Sequence, residues 1–446
     1  MFRKILIANR GEVAVRIIRA CKDMGISTVA VYSEADSEAL HVGLADESIC
    51  IGKAPAADSY LNMQAILSAA AVTHVQAIHP GYGFLAESAK FASLCEQCNI
   101  RFIGPDSTHI SSMGDKDNAR KTMKKMGLPV VPGSESVEDL PEAFEWAGKI
   151  GYPLLIKARV GGGGRGIRLV AEERGFERAF LDASREASAS FGDAGLYIEK
   201  YMEQVRHIEV QILADAYGKV VCLGERDCSM QRRKQKVLEE SPAAGLPEET
   251  RKNMQRDAVR AAKKIGYANA GTLEFLVDAH GNHYFMEMNT RLQVEHPVTE
   301  MVTGVDLVKW QIRIAAGVPL SFDQRNIRMQ GHSIECRINA ENPAMDFRPS
   351  SGTVEFLHIP GGPRVRFDTA LYPGCTVPPY YDSLLGKLVV HADTREEAVR
   401  KMQAALAELV ITGVETNIEL HIDILAGEAF RNGAYTTGYL ESRNES

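Results

Sequence analysis

The sequence predicts a mixed α/β and α+β protein with an N-terminal parallel α/β domain, a small flexible lid and a mostly β C-terminal domain. Three observations carry this. Residues 3–110 alternate apolar strand-like runs with amphipathic helical ones, at 4–8, 13–24, 28–32 and 75–78. That βαβ order implies a parallel sheet with helices on its faces. Residues from about 131 to 203 are bounded by Pro129, Pro132 and Gly133 and hold two strands around a glycine run, as a lid would. From Gly331 the pattern is mostly β through Pro379, before helical periodicity returns near 394–410 and 415–427. The expected units are therefore 1–114, 115–330 with the lid inside it, and 331–446.

Composition narrows the function. A chain of 446 residues is too long for one core. Its 45% hydrophobic and 24% charged residues are typical of soluble globular proteins. The formal net charge of −7 argues against a nucleic-acid partner, which would call for a basic domain. No apolar run reaches the roughly 18 residues of a membrane span. The N-terminal run Ile5-Leu6-Ile7-Ala8 is too short for a signal peptide and reads as a first strand. Eight cysteines without regular spacing suit reduced thiols in the cytoplasm. Cys95 and Cys98 lie in a helical pattern with no second pair at zinc spacing, so they read as structural.

The first turn, Asn9-Arg10-Gly11-Glu12, lacks the glycine fingerprint of a dinucleotide site, so no nicotinamide cofactor is expected. His79-Pro80-Gly81-Tyr82-Gly83 follows a strand and reads equally as a ligand loop or as simple turn chemistry. Further on, Leu154-Leu155-Ile156-Lys157, the run Gly161 to Gly164 with Arg165 and Gly166, and Ile167-Arg168-Leu169-Val170 form strand, glycine loop and strand. A dinucleotide motif needs a helix after its glycines. A flap that closes on phosphates with backbone N–H groups suits this order better, with Lys157 supplying a charge. Leu196 to Met202, apolar except for Glu199-Lys200, suits either an adenine pocket or a buried ion pair. In His207-Ile208-Glu209-Val210-Gln211-Ile212 strict alternation places His207, Glu209 and Gln211 on one face. The segment Glu225 to Lys236 carries Arg226, Arg232, Arg233, Lys234 and Lys236, a focus of positive charge for phosphate or bicarbonate.

The most informative stretch runs from Gly271 to His296 and reads as two strands joined by the turn Ala279-His280-Gly281-Asn282. Pairing Asp278 with His283 puts Glu274 opposite Glu287, with Cβ atoms about 4.5–5.5 Å apart. Two such carboxylates repel unless a cation sits between them, and Mg²⁺ suits oxygen ligands of this kind. Asn289 shares their face. If the chain stays extended, Arg291, Gln293 and Glu295 follow on it, while Leu292 and Val294 point the other way. A metal site, an anion clamp and a base then lie in line.

With these segments in order, the whole chain resembles the biotin carboxylases, enzymes of the ATP-grasp fold. The resemblance rests on Ile5 to Glu12, His79 to Gly83, the glycine flap, Arg226 to Gln231, Glu287 to Pro297 and Glu335 to Glu341. It implies that Lys116, Lys157, Gly163, Gly164, Glu199, Lys200, Met202, His207 and Lys234 contact ATP. Glu274, Glu287 and Asn289 match the ligands of Mg²⁺ (or Mn²⁺). Lys236, Arg291, Gln293 and Val294 match the bicarbonate site, Glu295 the base that deprotonates bicarbonate, and Arg337 the residue that stabilises the biotin enolate. The implied reaction is carboxylation of biotin through carboxyphosphate, the first half-reaction of acetyl-CoA carboxylase or of a propionyl-CoA or pyruvate carboxylase. Another ATP-grasp ligase, forming carbamoyl phosphate, is the alternative. The biotin-accepting tetrapeptide of the family, Ala/Val-Met-Lys-Met, is absent, so biotin is expected on a separate biotin carboxyl carrier protein, with carboxyltransferase subunits as further partners. Arg16, Arg19 and Arg366 match a homodimer interface. Three places depart from the family: Lys234 stands where His is frequent, Arg159-Val160 precede the flap in place of smaller residues, and Pro363 replaces an interface aromatic.

Overall fold

The computed structural model describes residues 1–137, 139–159 and 167–443. The N-terminal region forms a five-stranded sheet in the order Glu47–Gly52, Ser27–Ser33, Lys4–Ile7, Ala77–His79, Arg101–Phe102. Every pairing in it is parallel, as the βαβ pattern predicts. Successive strands run outward in one direction from Lys4–Ile7 and then in the other from Ala77–His79. These two central strands mark a topological switch point, where open α/β sheets place ligands beyond the carboxyl ends of the strands. Both loops singled out in the sequence start there. The Asn9 side chain ties them together, donating to the carbonyls of Pro80 and Tyr82, each at 2.7 Å. The helix Gly11–Asp23 follows directly and buries Val13, Ala14, Ile17, Ile18 and Cys21 on one side. Those residues share a core with Leu307, Val308 and Ile312 of a later helix.

The lid is a three-stranded antiparallel sheet in the order Ile167–Val170, Leu154–Ala158, Leu196–Lys200. Its register sets Lys157 opposite Ile167. The glycine run that joins these strands, with Gly163 and Gly164, lies outside the described residues. Helices Leu140–Ile150 and Phe176–Phe191 back the sheet around their own core of Val137, Ile156, Phe176, Phe180 and Ile198.

An eight-stranded antiparallel sheet joins the rest, in the order His283–Asn289, Asn269–Val277, Arg206–Ala214, Val220–Arg232, Gln235–Ser241, His332–Asn339, Leu384–Ala392, Val365–Thr369. One sheet therefore crosses the expected division near residue 331. Around it Phe275, Phe285 and Val210 pack with Met254 and Ala258 of helix Glu248–Ile265. At the other end, Leu238, Ile334 and Leu388 pack with Met402 and Leu406 of helix Arg395–Glu408. No helix among the described residues is long and apolar enough to cross a membrane. All eight cysteines are free.

Glu240 locks the C-terminal helices to this sheet. It is fully buried, accepts from Tyr435 Oη at 2.6 Å and Arg395 Nε at 2.7 Å, and lies 2.6 Å from His332 Nε2. Burial favours the neutral acid, but the bonds and charges of His332 and Arg395 outweigh it and hold the carboxyl down at about 2, against an ordinary 4.5. A carboxyl depressed in the folded state stabilises it fully above the ordinary value. That contribution disappears as pH falls from 4.5 toward about 2. Denaturant unfolding followed over this range should therefore show a steep acid loss of stability that Glu240→Gln flattens; an unchanged acid profile in the variant would remove Glu240 from the account.

Candidate active site

The hairpin brings Glu274 and Glu287 face to face as the sequence predicts, by a different route. Near the turn the observed pair is Val277 with His283, one residue off the expected Asp278–His283. Asp278 instead closes the turn, its carboxylate accepting from the backbone N–H of His280 and Asn282, each at 2.9 Å. A bulge then leaves Met286 as the extra residue between the pairs Phe275–Phe285 and Glu274–Glu287. The two offsets cancel. Asn289 joins the same face and donates to Glu274 Oε1 at 2.8 Å.

Beyond Asn289 the expected alternation fails, because the strand ends there and the chain turns at Val294-Glu295 into helix His296–Thr303. The side chains still converge. Gln293 donates to Glu274 Oε1 at 2.7 Å. Arg291 donates to Asn289 Oδ1 and to Glu87, both at 2.9 Å. Glu295 accepts from Lys236 at 2.6 Å and from Arg337 at 2.9 Å. Leu292 points into the core, and the Val294 carbonyl accepts from Lys387 at 3.0 Å.

Lys236 sits at the centre of this group. Its ammonium lies 2.7 Å from Glu209, 3.0 Å from Glu274 and 2.6 Å from Glu295. Burial alone would discharge it, but the surrounding thiol and carboxylates raise its pKa well above the ordinary lysine value. Conversely, burial would neutralise Glu295, yet Lys236, Arg337 and Arg226 hold it well below the ordinary carboxylate value. Glu274 is depressed in the same way, by Lys236 and His207 against its burial. His207 Nε2 lies 2.9 Å from Glu274 Oε2.

The expected nucleotide residues fall into two groups. Lys116 pairs with Glu287 at 3.1 Å, and Lys157 with the buried Glu199. The charges of Glu199 on the lid sheet and of Glu287 and Glu274 on the large sheet all act on Lys116, which brings these groups to one neighbourhood. Lys200 faces elsewhere, its ammonium donating to the carbonyls of Tyr152 at 3.0 Å and Gly151 at 3.3 Å. Met202 is half-buried just past the strand Leu196–Lys200. Lys234 lies in a two-residue hairpin turn with Arg233, both at positive φ, +47° and +65°. Such turns usually carry Asn-Gly, so two long cationic side chains here are held against preference. Desolvation and the neighbouring Lys157 bring the Lys234 ammonium down to about 8.

The matches to known proteins decide the family. Residues 1–110 match the biotin carboxylase N-terminal domain, 115–322 the ATP binding domain of the carbamoyl-phosphate synthase L chain, and 335–442 the biotin carboxylase C-terminal domain. Biotin carboxylase 1 of Bacillus subtilis is 54% identical over 444 residues, 99% of each chain. The chain belongs to the biotin carboxylase family. Among solved biotin carboxylases, the biotin carboxylase domain dimer of Hydrogenobacter thermophilus 2-oxoglutarate carboxylase, in complex with MgADP, ADP and bicarbonate, is 52% identical. It covers 100% of this chain and 98% of its own, with a TM-score of 0.96. The Campylobacter jejuni biotin carboxylase–β-γ-ATP complex is 48% identical, covers 99% of each chain and superposes with a TM-score of 0.97. The structure is thus the ATP-grasp architecture of a biotin carboxylase, and the chain is an ATP-dependent biotin carboxylase by family.

Within this biotin carboxylase site, sequence reasoning misjudged one segment. The bases of 226–236 do not form a single anion focus. Arg232 and Arg233 pair with Asp346 at the far end of the hairpin. Arg226 is fully buried and spends every guanidinium N–H inside the protein. Its Nε donates to Glu209, one terminal nitrogen to Gln211 and Thr299 at 2.8 and 2.9 Å, and the other to Gln293 and Thr272 at 2.6 and 3.3 Å. It thereby fixes Gln293 and, through Glu209, Lys236. The alternation of His207, Glu209 and Gln211 was the signal that an internal partner was needed. Replacing Arg226 with Met leaves Glu209 short of a partner in a dry site and should cost about 3–5 kcal/mol of stability by urea denaturation; a loss under about 1 kcal/mol would show that the network is not structural.

Proposed function

We propose that the chain carboxylates biotin held on a separate biotin carboxyl carrier protein, using MgATP and bicarbonate through a carboxyphosphate intermediate. The observation that carries this reading is the convergence of Lys236 and Arg337 on the buried Glu295, a base flanked by cations on two sides. Bicarbonate is a weak nucleophile. Held by Lys236, Arg291, Gln293 and the backbone at Val294, it would lie against Glu295, which takes its proton and frees the oxygen to attack the γ-phosphoryl group. Lys116, Lys157 and His207 would hold the phosphates, with Glu199, the backbone at Lys200, Met202 and Lys234 toward the base and the glycine flap, Gly163 and Gly164 included, closing over them.

The oxygen donors fit a hard divalent ion: two opposed carboxylates and the Asn289 carbonyl oxygen are the ligand types that Mg²⁺ selects. Glu274, Glu287 and Asn289 would hold Mg²⁺ (or Mn²⁺), which when bound neutralises charge on the transferring phosphoryl group. Until then Lys236, Lys116 and His207 serve as counter-ions of the same carboxylates. As bicarbonate draws Lys236 away, Glu295 loses a stabilising charge and becomes a stronger base. Arg337, with Glu239 on one side and Glu295 on the other, is placed to stabilise the negative oxygen that forms when the ureido nitrogen of biotin loses its proton.

The half-reaction is that of acetyl-CoA carboxylase in this proposal, and a propionyl-CoA or pyruvate carboxylase is served by the same chemistry. We place the protein in the cytoplasm as a homodimer, with carboxyltransferase subunits as further partners and with units at 1–114, 115–330 and 331–446. Arg16 and Arg366, which converge on Glu300 at 2.9 and 2.8 Å beside Arg19, would form part of the dimer contact.

ADP release from MgATP tests the reaction. It should require bicarbonate and rise further with free biotin; release that ignores biotin and responds to ammonia would instead place the protein among carbamoyl-phosphate-forming ligases. Arg337→Ala should reduce biotin-dependent turnover by at least about a hundredfold, the scale of a lost charge-stabilising group, with ATP affinity within about twofold. Equal loss of both would displace Arg337 from the biotin side.

A further inference from the structure

Behind Arg337 the sheet carries two carboxyl groups that the reaction above does not use. Glu239 and Glu335 are directly opposite each other on adjacent strands, Gln235–Ser241 and His332–Asn339, and both are 0% exposed. Opposed side chains of this kind share one face with Cβ atoms about 4.5–5.5 Å apart. Glu239 Oε1 accepts from Arg337 Nε at 2.6 Å. Among the described residues, no protein group bonds Glu239 Oε2 or either carboxyl oxygen of Glu335.

The charges around Glu335 explain why. Arg337, on its own strand, is already held between Glu239 and Glu295. Lys387, opposite Arg337 on the other neighbouring strand, is taken by Glu12 at 3.1 Å and by the Val294 carbonyl at 3.0 Å. Glu295 faces the group from the turn above, adding a like charge, and His296 and Glu300 belong to the helix packed on the same strands. His296 is kept neutral by burial, with Lys387 next in effect, and Glu300 is paired with Arg16 and Arg366. Among the described residues no cation bonds Glu335; Lys387 and Arg337 act on it only through space, and burial outweighs them. Two opposed carboxyls in a dry interior, with one guanidinium bonded to only one of them, hold a single negative charge. Burial raises both, Glu335 well above the ordinary carboxylate value and Glu239 to about 7.

We propose that Glu239 and Glu335 share one buried proton carried on Glu335, and that the pair is the positioning element that aims the Arg337 guanidinium at the ligand beside Glu295. A neutral Glu335 supplies the donor that Glu239 Oε2 lacks. It also leaves Glu239 as the anion that grips Arg337, whereas an ionised Glu335 would compete for the same guanidinium and pull it back into the sheet. Only the identity of the ligand rests on the biotin carboxylase reading; the position of the proton does not.

Infrared difference spectroscopy of the unliganded protein at neutral pH, wild type minus Glu335→Gln, reads the proton directly. The expected result is loss of a protonated carboxylic-acid carbonyl band that shifts in D₂O; loss of carboxylate bands alone overturns the proposal. Should Glu335→Gln fail to fold, the difference between wild type and Glu239→Gln reads the same proton. A neutral amide at 239 lets Glu335 ionise against Arg337, so the acid band disappears, and its persistence overturns the shared proton. Kinetics test the positioning role: Glu239→Gln should lower kcat/KM for free biotin about tenfold to a hundredfold, the range of a charged hydrogen bond, with KM for MgATP within about twofold and partial rescue by Glu239→Asp. An equal rise of both KM values would assign Glu239 to the fold alone.

Discussion

The constraint on which the site depends is charge balance in a dry interior. Arg226, Glu209, Lys236, Glu295, Arg337 and Glu239 form one continuous chain of alternating sign, with Glu274 branching from Lys236, most of it buried. An isolated charge in such a place would neutralise or draw in water. Each member is tolerable only because its neighbours are present. The same rule makes Arg226 more demanding than any surface arginine, since its five donors leave no slack for an alternative arrangement. The cluster is therefore both a structural knot at the centre of the eight-stranded sheet and a reservoir of charges that ligands can reassign.

Topology brings ligand loops to this knot without long connections. The parallel sheet delivers the loops after Ile7 and His79 at its switch point, and Glu12, in the first turn of the helix after the one, meets Tyr82 of the other over Lys387 of the antiparallel sheet. Lys387 in turn holds the Val294 carbonyl, one residue before Glu295. A side chain that is 0% exposed thus couples the N-terminal sheet to the turn that aims Glu295. The loop at His79 to Gly83, ambiguous between turn chemistry and function in the sequence, belongs to this support. Asn9 explains its shape, because one amide side chain satisfies two of its carbonyls.

Much of this was legible in the sequence, and for physical reasons. Strict alternation in a hairpin fixes which residues share a face, so Glu274, Glu287 and Asn289 could be placed together before any coordinates. The exact pairing at the turn was not legible, since a bulge at Met286 carries no composition signal of its own. Nor were the end of the strand at Asn289 and the turn at Val294-Glu295, which still keep Arg291, Gln293 and Glu295 on the site by curling them inward. The bases of 226–236 were misjudged because sequence charge density says nothing of burial: Arg226 faces a strand of acids and amides, while Arg232 and Arg233 find Asp346 more than a hundred residues away. Glu335 was invisible for the opposite reason, since its importance lies in what does not pair with it.

The acids of this site are rich in internal partners, and that bears on how ligands would compete for them. Glu274 Oε1 takes donors from Lys236, Asn289 and Gln293, and Glu295 from Lys236 and Arg337. A cation arriving at Glu274 repels the Lys236 ammonium, and an anion arriving beside Arg291 attracts it; both displacements push Lys236 in one direction. Each ligand thereby does part of the work of seating the other, as linkage requires when two ligands move the same group. The cost of pulling Lys236 from three carboxylates is offset only when positive charge replaces it on Glu274 and negative charge meets it in the anion clamp. On the proposed assignment of the metal and bicarbonate sites, a single lysine at the meeting point of three acids would make the two interdependent without any movement of the sheet that carries them.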